Sequence, residues 1–519
     1  MFRNHLITIF MWLVYSFLRP IFAYIYSKKR KSVPAIRNPL LTFSAVELAK
    51  KVRQGELSSQ TIVEAYIERI KEVNCFVNAV VDERFEAAIN DAKACDAKLK
   101  SGKVTAAALE KSQPLFGVPF TVKEACSVAG LSYTGGSLAR KGMKATEDGS
   151  AVELMKNAGA IPLCVTNTPE FCLGTTSTNN LFGTTKNPYD TSKTCGGSSG
   201  GEGALIGAGA SVLGIGSDIL GSIRIPSHFC GIFGHKPTPG IVSTRGHLPT
   251  AENNALRFMA VFGPMARHTE DLHLAMKVLS ANCERPLRLD EPVDVKTLRV
   301  FYVDNIDSVL GTRSTTLDIR RTIKLATDYL AKNGAQVKQT SQEWVHDSFL
   351  FLLTSFLSKE NPEELITDKS PDARKKLFLE LLKALVGLSN NTLQFIFTVL
   401  LIEFHGFIPR AAEEYYNAKK DTMRGIINKA LGNDGVFICP TYPHAASIAE
   451  LTFLRNDCVI YTSNCNCLQL PSTHVPMGFN DEGLPIGFQV IAGSYQDRLC
   501  LGVAREMEKA FGGWIPPTS

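Results

Sequence analysis

The chain has 519 residues, of which 45% are hydrophobic and 20% charged. That balance excludes a disordered chain, a collagen-like repeat and a disulfide-held miniprotein, and it supplies apolar area for a large core. The formal charge of +6 sits at one end: residues 1–46 carry seven basic residues and no acidic one. The rest is nearly neutral, which argues against a nucleic-acid partner.

Leu6 to Tyr26 reads LITIFMWLVYSFLRPIFAYIY, with one charge at Arg19. As a helix it would extend about 31 Å, roughly a bilayer core. Trp12, Tyr15, Tyr24 and Tyr26 suit an interfacial belt. The basic run Lys28–Lys31 would lie against anionic headgroups. Residues 1–31 are therefore predicted to be a membrane anchor, single-pass or monotopic. Arg19-Pro20 also permits a shallow hairpin, and no small-residue cleavage site supports a signal peptide. The basic excess on the carboxyl side predicts that the body faces the cytoplasm, and an endomembrane or a lipid droplet is left open as the site. The thirteen cysteines are scattered, with no C-x-x-C. They read as reduced thiols, and Cys465-Asn-Cys467 is too sparse for a metal site. The sequon at Asn390 would be glycosylated only in a lumenal body.

The body, residues 40–519, opens with a capping-box pattern at Ser44–Glu47 and a helical stripe over 58–74. Apolar strands are predicted at Val77–Val81, Phe116–Val122, Ile161–Val165, Val212–Ile215, Leu298–Val303 and Val436–Cys439. Helical patterns at 83–100, 149–158 and 314–333 lie between them. The alternation predicts an α/β fold with a largely buried sheet, and the absence of linkers favours one large domain. Residues 345–407 hold three apolar runs, each too short to span a bilayer. They read as core helices, or as an apolar cap that rests on a membrane or lines an acyl tunnel.

The densest signal is 195–226, CGGSSGGEGALIGAGASVLGIGSDILGSIRIP. No P-loop or dinucleotide fingerprint occurs. Gly196–Gly200 fits G-x-S-x-G formally, but no apolar strand precedes it, as an α/β-hydrolase elbow requires. The stretch resembles the amidase signature. The resemblance extends to Phe116–Glu124, Phe262–Arg267 and Gly483–Gln489, and so covers most of residues 40–519. It implies one α/β/α domain around a twisted mixed sheet and a Ser–Ser–Lys triad. Carried over by motif, Ser222 is the nucleophile, Ser198 the bridging serine after a cis peptide bond, and Lys123 the base. The N–H groups of Ile219, Leu220, Gly221 and Ser222 would form the oxyanion hole. Ser199, Asp218 and Arg224 fall on supporting positions. Leu220 departs from the family, which usually has Gly or Ala there, so the loop must find room for an isobutyl group.

The residue types suit amide hydrolysis, which needs a strong nucleophile, a proton for nitrogen and donors for the developing oxyanion. Lys123 ends an apolar strand pattern, and burial disfavours its charged form. Lowering its pKa to near 7 requires about 4–5 kcal/mol, within reach of a buried amine. Among the histidines, His228, His235 and His247 remain rival bases, since a Ser–His–Asp triad assembles in space. No metal constellation is visible, and no cofactor is expected. The anchor and the apolar segment favour membrane-held lipid amides as substrates, primary amides and N-acylethanolamines, as in the fatty-acid amide hydrolase branch of the family. The alternatives are an amidase of small soluble amides that carries an anchor, and a non-catalytic lipid-binding protein. A homodimer is an open expectation.

Overall fold

The computed structural model describes residues 14–22, 24–26, 31–251, 255–306, 314–341, 345, 347–356, 373–403, 410–452 and 459–518. Eleven strands form one mixed sheet. In chain order they are β1 (Val80–Glu83), β2 (Pro119–Lys123), β3 (Ile161–Thr166), β4 (Leu213–Asp218), β5 (Phe233–Lys236) and β6 (Val261–Ala266). They continue as β7 (Arg299–Tyr302), β8 (Gln336–Gln339), β9 (Gly435–Pro440), β10 (Ser472–Phe479) and β11 (Pro485–Ala492). Their order across the sheet is β1-β3-β2-β4-β6-β5-β10-β11-β9-β7-β8. Two parallel groups (β2 with β3 and β4, β7 with β8 and β9) flank a central antiparallel block that runs from β4 to β9. Every residue of β2, β3, β4, β9 and β11 is buried, so the central sheet is covered on both faces.

The predicted elements are present with shifted ends. Ser44 and Glu47 close a reciprocal capping box on the helix Ala45–Arg53. Val77 ends the helix Ser59–Val77 instead of starting a strand. Asn78, at φ 50°, caps that helix in the left-handed region, and the strand begins only at Val80. The strand Phe233–Lys236 and those at Val261–Ala266, Ser472–Phe479 and Pro485–Ala492 are not singled out by periodicity. Glycine, proline and histidine dilute their β signal.

Residues 32–38, left out of both predicted segments, form an extended strap on the body. The Val33 N–H donates to Pro188 C=O at 3.0 Å, and Arg69 Nη2 donates to Pro34 C=O at 2.6 Å. Arg267, from the Phe262–Arg267 motif, holds the following turn through the carbonyls of Leu41 and Phe43, and it stacks on Trp514.

Residues 1–13, 23 and 27–30 of the predicted anchor lie outside the described residues. Residues 14–22 and 24–26 are helical, and the helix runs through Arg19-Pro20 without a break. Phe17, Ile21, Tyr24 and Ile25 are exposed at helical spacing. Tyr26 Oη donates to Glu450 on the body. Among the described residues no helix is long and apolar enough to cross a membrane.

The 345–407 segment divides. Phe351 of the helix Ser348–Phe356, with Phe395 and Ile396 of the helix Leu393–Glu403, enters an internal apolar cluster. The helix Ala373–Leu385 keeps Phe378, Leu379, Leu382 and Leu385 more than half exposed, as are Val386 and Leu388 just beyond it. Residues 357–372 and 404–409 lie outside the described residues.

Candidate active site

Parallel pairing of β2 with β4 sets Val122 beside Ile215, so the carboxyl ends of both strands emerge together. Such ends are where α/β sheets present their chemistry. Lys123 is the last residue of β2 and is fully enclosed. Its Nζ lies 2.6 Å from Ser198 Oγ and 2.9 Å from Ser217 Oγ. Ser198 follows a cis Gly197–Ser198 peptide, two residues before the helix Gly200–Gly207. Burial pushes the Lys123 amine below the ordinary lysine range, against the opposing pull of Cys172, Asp218 and Cys126.

β4 ends at Asp218, and the chain turns through Ile219–Ile223 into the short helix Arg224–Cys230. Asp218 organises this turn. Its Oδ1 accepts the Gly221 N–H at 2.7 Å and its Oδ2 the Ile223 N–H at 3.0 Å, one on each side of Ser222. Arg224 donates to both carboxylate oxygens at 3.1 Å. It also reaches Gln489 Oε1 at 2.8 Å and Asn466 Oδ1 at 2.6 Å. Burial alone would raise the Asp218 carboxyl, but Arg224 and the backbone donors hold it below the usual carboxylate range. Gln489, the last residue of the Gly483–Gln489 motif, is thus an anchor for Arg224.

Ser222 is half-buried, whereas Ser198 and Lys123 are sealed behind it. The Ser199 N–H donates to Ser222 C=O at 3.0 Å, which lays the turn on the cis segment. Ser199 Oγ also accepts the Ser217 N–H at 3.3 Å and donates to Ser217 C=O at 3.1 Å. The structure therefore joins Lys123 to Ser198. It draws no hydrogen bond between the hydroxyls of Ser198 and Ser222.

Of the expected oxyanion donors, the Gly221 N–H is engaged by Asp218 and is not offered to a ligand. The N–H groups of Ile219, Leu220 and Ser222 have no hydrogen-bond partner among the described residues. Gly221 adopts φ +128°, and a Cβ there would lie 2.1 Å from Thr462 Oγ1. Thr462 Oγ1 in turn donates to Leu220 C=O at 2.6 Å. The Leu220 isobutyl group finds its room in the apolar cluster of Phe171, Ile219, Leu248, Phe351 and Phe395. Helices of the 345–407 segment thus share one apolar cluster with the turn that carries Ser222.

None of the three rival histidines hydrogen-bonds to Ser222. His228 Nε2 meets His444 C=O at 3.2 Å, and His235 sits between Thr473 and Asp497. His247 Nε2 lies 2.9 Å from Ser217 Oγ. Besides Asn466 and Thr462, two partners of this site carry no sequence motif. Ser217 is one, masked by the glycines around it. The other is Glu202, which accepts from Thr121 at 2.6 Å and Thr166 at 2.7 Å and ties β2 to β3 beneath Lys123. Burial pushes its carboxyl up to about 7. Among the described residues no group of three His, Cys, Asp or Glu side chains could hold a metal ion. The twelve described cysteines are free thiols.

The chain belongs to the amidase family, whose model matches residues 61–501. It is an amide-cleaving hydrolase. It is 39% identical over 500 residues to fatty-acid amide hydrolase 2-B of Danio rerio, covering 95% of this chain and 94% of that one. It is 38% identical over 496 residues to fatty-acid amide hydrolase 2 of Homo sapiens, covering 94% and 92%. Among solved structures, a fatty acid amide hydrolase superposes with a TM-score of 0.75 at 24% identity. That match covers 95% of this chain and 89% of that one, and at this identity it speaks to the fold.

Proposed function

We propose that this protein hydrolyses fatty-acid amides through an acyl-enzyme on Ser222. Uncharged Lys123 takes the Ser198 proton while Ser198 takes the Ser222 proton, and Ser222 Oγ attacks the amide carbon. The oxyanion meets the N–H groups of Leu220 and Ser222, and Asp218 holds the intervening Gly221. Collapse breaks the C–N bond as Ser198 returns its proton to the departing nitrogen and regains one from Lys123. Water, deprotonated through the same relay, then releases the fatty acid. The missing Ser198–Ser222 hydrogen bond is one that commonly closes only around substrate. The observation that carries the reading is an enclosed, charge-disfavoured amine 2.6 Å from a serine hydroxyl at the base of the nucleophile turn.

Acyl chains are the substrate class that the surroundings favour. The apolar cluster beside Leu220 is continuous with helices of the 345–407 segment. The exposed apolar faces of 14–26 and of 378–388 support a body held at a lipid surface by residues 1–31. Competitive hydrolysis of amides graded by chain length and head group tests this. Preference should rise steeply toward long acyl chains, at about 0.8 kcal/mol per buried CH₂. Equal turnover of acetamide-sized and long-chain amides would replace this reading with that of a small-amide hydrolase.

A further inference from the structure

A second hydrogen-bond chain reaches Lys123 through Ser217. His247 Nδ1 lies 2.7 Å from Pro249 C=O, and its Nε2 lies 2.9 Å from Ser217 Oγ, which is itself 2.9 Å from Lys123 Nζ. The ring is buried, and it packs against Phe262 at a centroid distance of 5.4 Å. Elementary donor and acceptor rules fix every proton in this chain. A carbonyl oxygen only accepts, so the Nδ1 atom carries the hydrogen. In a neutral imidazole Nε2 is then a bare acceptor, and Ser217 must donate to it. With its one proton committed, Ser217 Oγ can only accept from Lys123. Burial pushes His247 down to about 4, so the ring is neutral around pH 7.

We infer that His247 is a positioning residue: through Ser217 it holds one N–H of Lys123 and leaves the amine lone pair free for Ser198. The inference rests on the proposed Ser–Ser–Lys reading and adds to it the orientation of the base. Without the acceptor at His247, the Ser217 hydroxyl is free to donate to the lone pair of Lys123. The base is then occupied on the wrong side, and Ser198 keeps its proton. An uncharged lysine has one lone pair, so the two arrangements compete directly.

Two substitutions separate this role from simple packing. His247→Asn places its amide near the Nδ1 position, where it can keep the bond to Pro249 C=O but offers no acceptor to Ser217. His247→Gln places a carbonyl oxygen near the Nε2 position and restores the acceptor. We expect His247→Asn to lower kcat roughly tenfold at unchanged KM, the size of one misdirected hydrogen bond. His247→Gln should recover to within about threefold of the wild-type protein. In a Ser217→Ala background no hydroxyl remains to misdirect, so adding His247→Asn should cost nothing further. His247→Leu, also without an acceptor, serves if His247→Asn does not fold. The inference is overturned if acceptor-free variants keep full kcat, if Gln loses as much as Asn, or if the loss recurs in the Ser217→Ala background. Failure of the underlying reading looks different: a fluorophosphonate would not modify Ser222 of the wild-type protein, or would modify Lys123→Ala as fast.

Discussion

Asp218→Asn would leave the Arg224 guanidinium without a countercharge in a site where both side chains are fully enclosed. Removing one partner of a buried pair costs about 3–5 kcal/mol, because the survivor cannot be rehydrated. The N–H groups of Gly221 and Ile223 and the Asn466 amide also lose their charged acceptor. Arg224→Met should cost a similar amount, since it strands Asp218. Combining the two removes both charges, so the double variant should fall short of the sum by about 3 kcal/mol. Urea titration of the four proteins reads this coupling. Acid provides a second reading, because the folded state holds the Asp218 carboxyl below its usual range. A carboxyl so depressed stabilises the fold above its unfolded pKa of about 3.9, and that contribution is lost as pH falls through the folded value. The stability gap between the wild-type protein and Asp218→Asn should be full at pH 7 and narrow below pH ~4. Strict additivity in the double variant, or a gap indifferent to acid, would refute the assignment of Asp218 and Arg224 as one unit.

Gly221→Ala forces a Cβ to within 2.1 Å of Thr462 Oγ1 at a φ of +128°, which breaks the bond that holds Leu220 C=O. It should cost about 3 kcal/mol of stability by thermal melting and at least a hundredfold in turnover. Lys123→Met should change how stability depends on pH. The folded amine has a lowered pKa, so between that folded value and about 10.4 the unfolded chain binds the extra proton and wild-type stability rises with pH. The variant should lose that rise; an unchanged slope would mean that Lys123 is charged in the fold. Leu382→Lys with Leu385→Lys alters two side chains that are 61% and 64% exposed. Vesicle co-sedimentation should fall at least tenfold, while turnover of a detergent-dispersed amide stays intact.

The sequence discloses those parts of the site that are local. Lys123 closes an apolar run, and Ser198 to Arg224 lie within one glycine-rich stretch, so their residue types and proximity could be read together. What stays hidden depends on long-range closure. Ser217 and His247 are 30 residues apart in the chain and meet only because β4 returns beside the segment that precedes β6. Gln489 reaches Arg224 across 265 residues. The engagement of the Gly221 N–H by Asp218 is a backbone detail with no side-chain signature. The apolar segment 345–407 shows hydrophobicity without revealing which helix is buried. Residues of one composition pack inside at Phe351 and Phe395 and face outward at Phe378 and Leu382.

The central claim is that an enclosed, uncharged Lys123 activates Ser222 through Ser198. The direct measurement is the rate of covalent labelling by a fluorophosphonate from acid to alkaline pH, with the modified peptide identified by mass, in the wild-type protein and Lys123→Ala. A single adduct on Ser222 is expected, formed faster as pH rises through a titration below the ordinary lysine range, with that titration abolished in Lys123→Ala. An adduct on another residue, or a pH profile that the substitution leaves unchanged, would contradict the account.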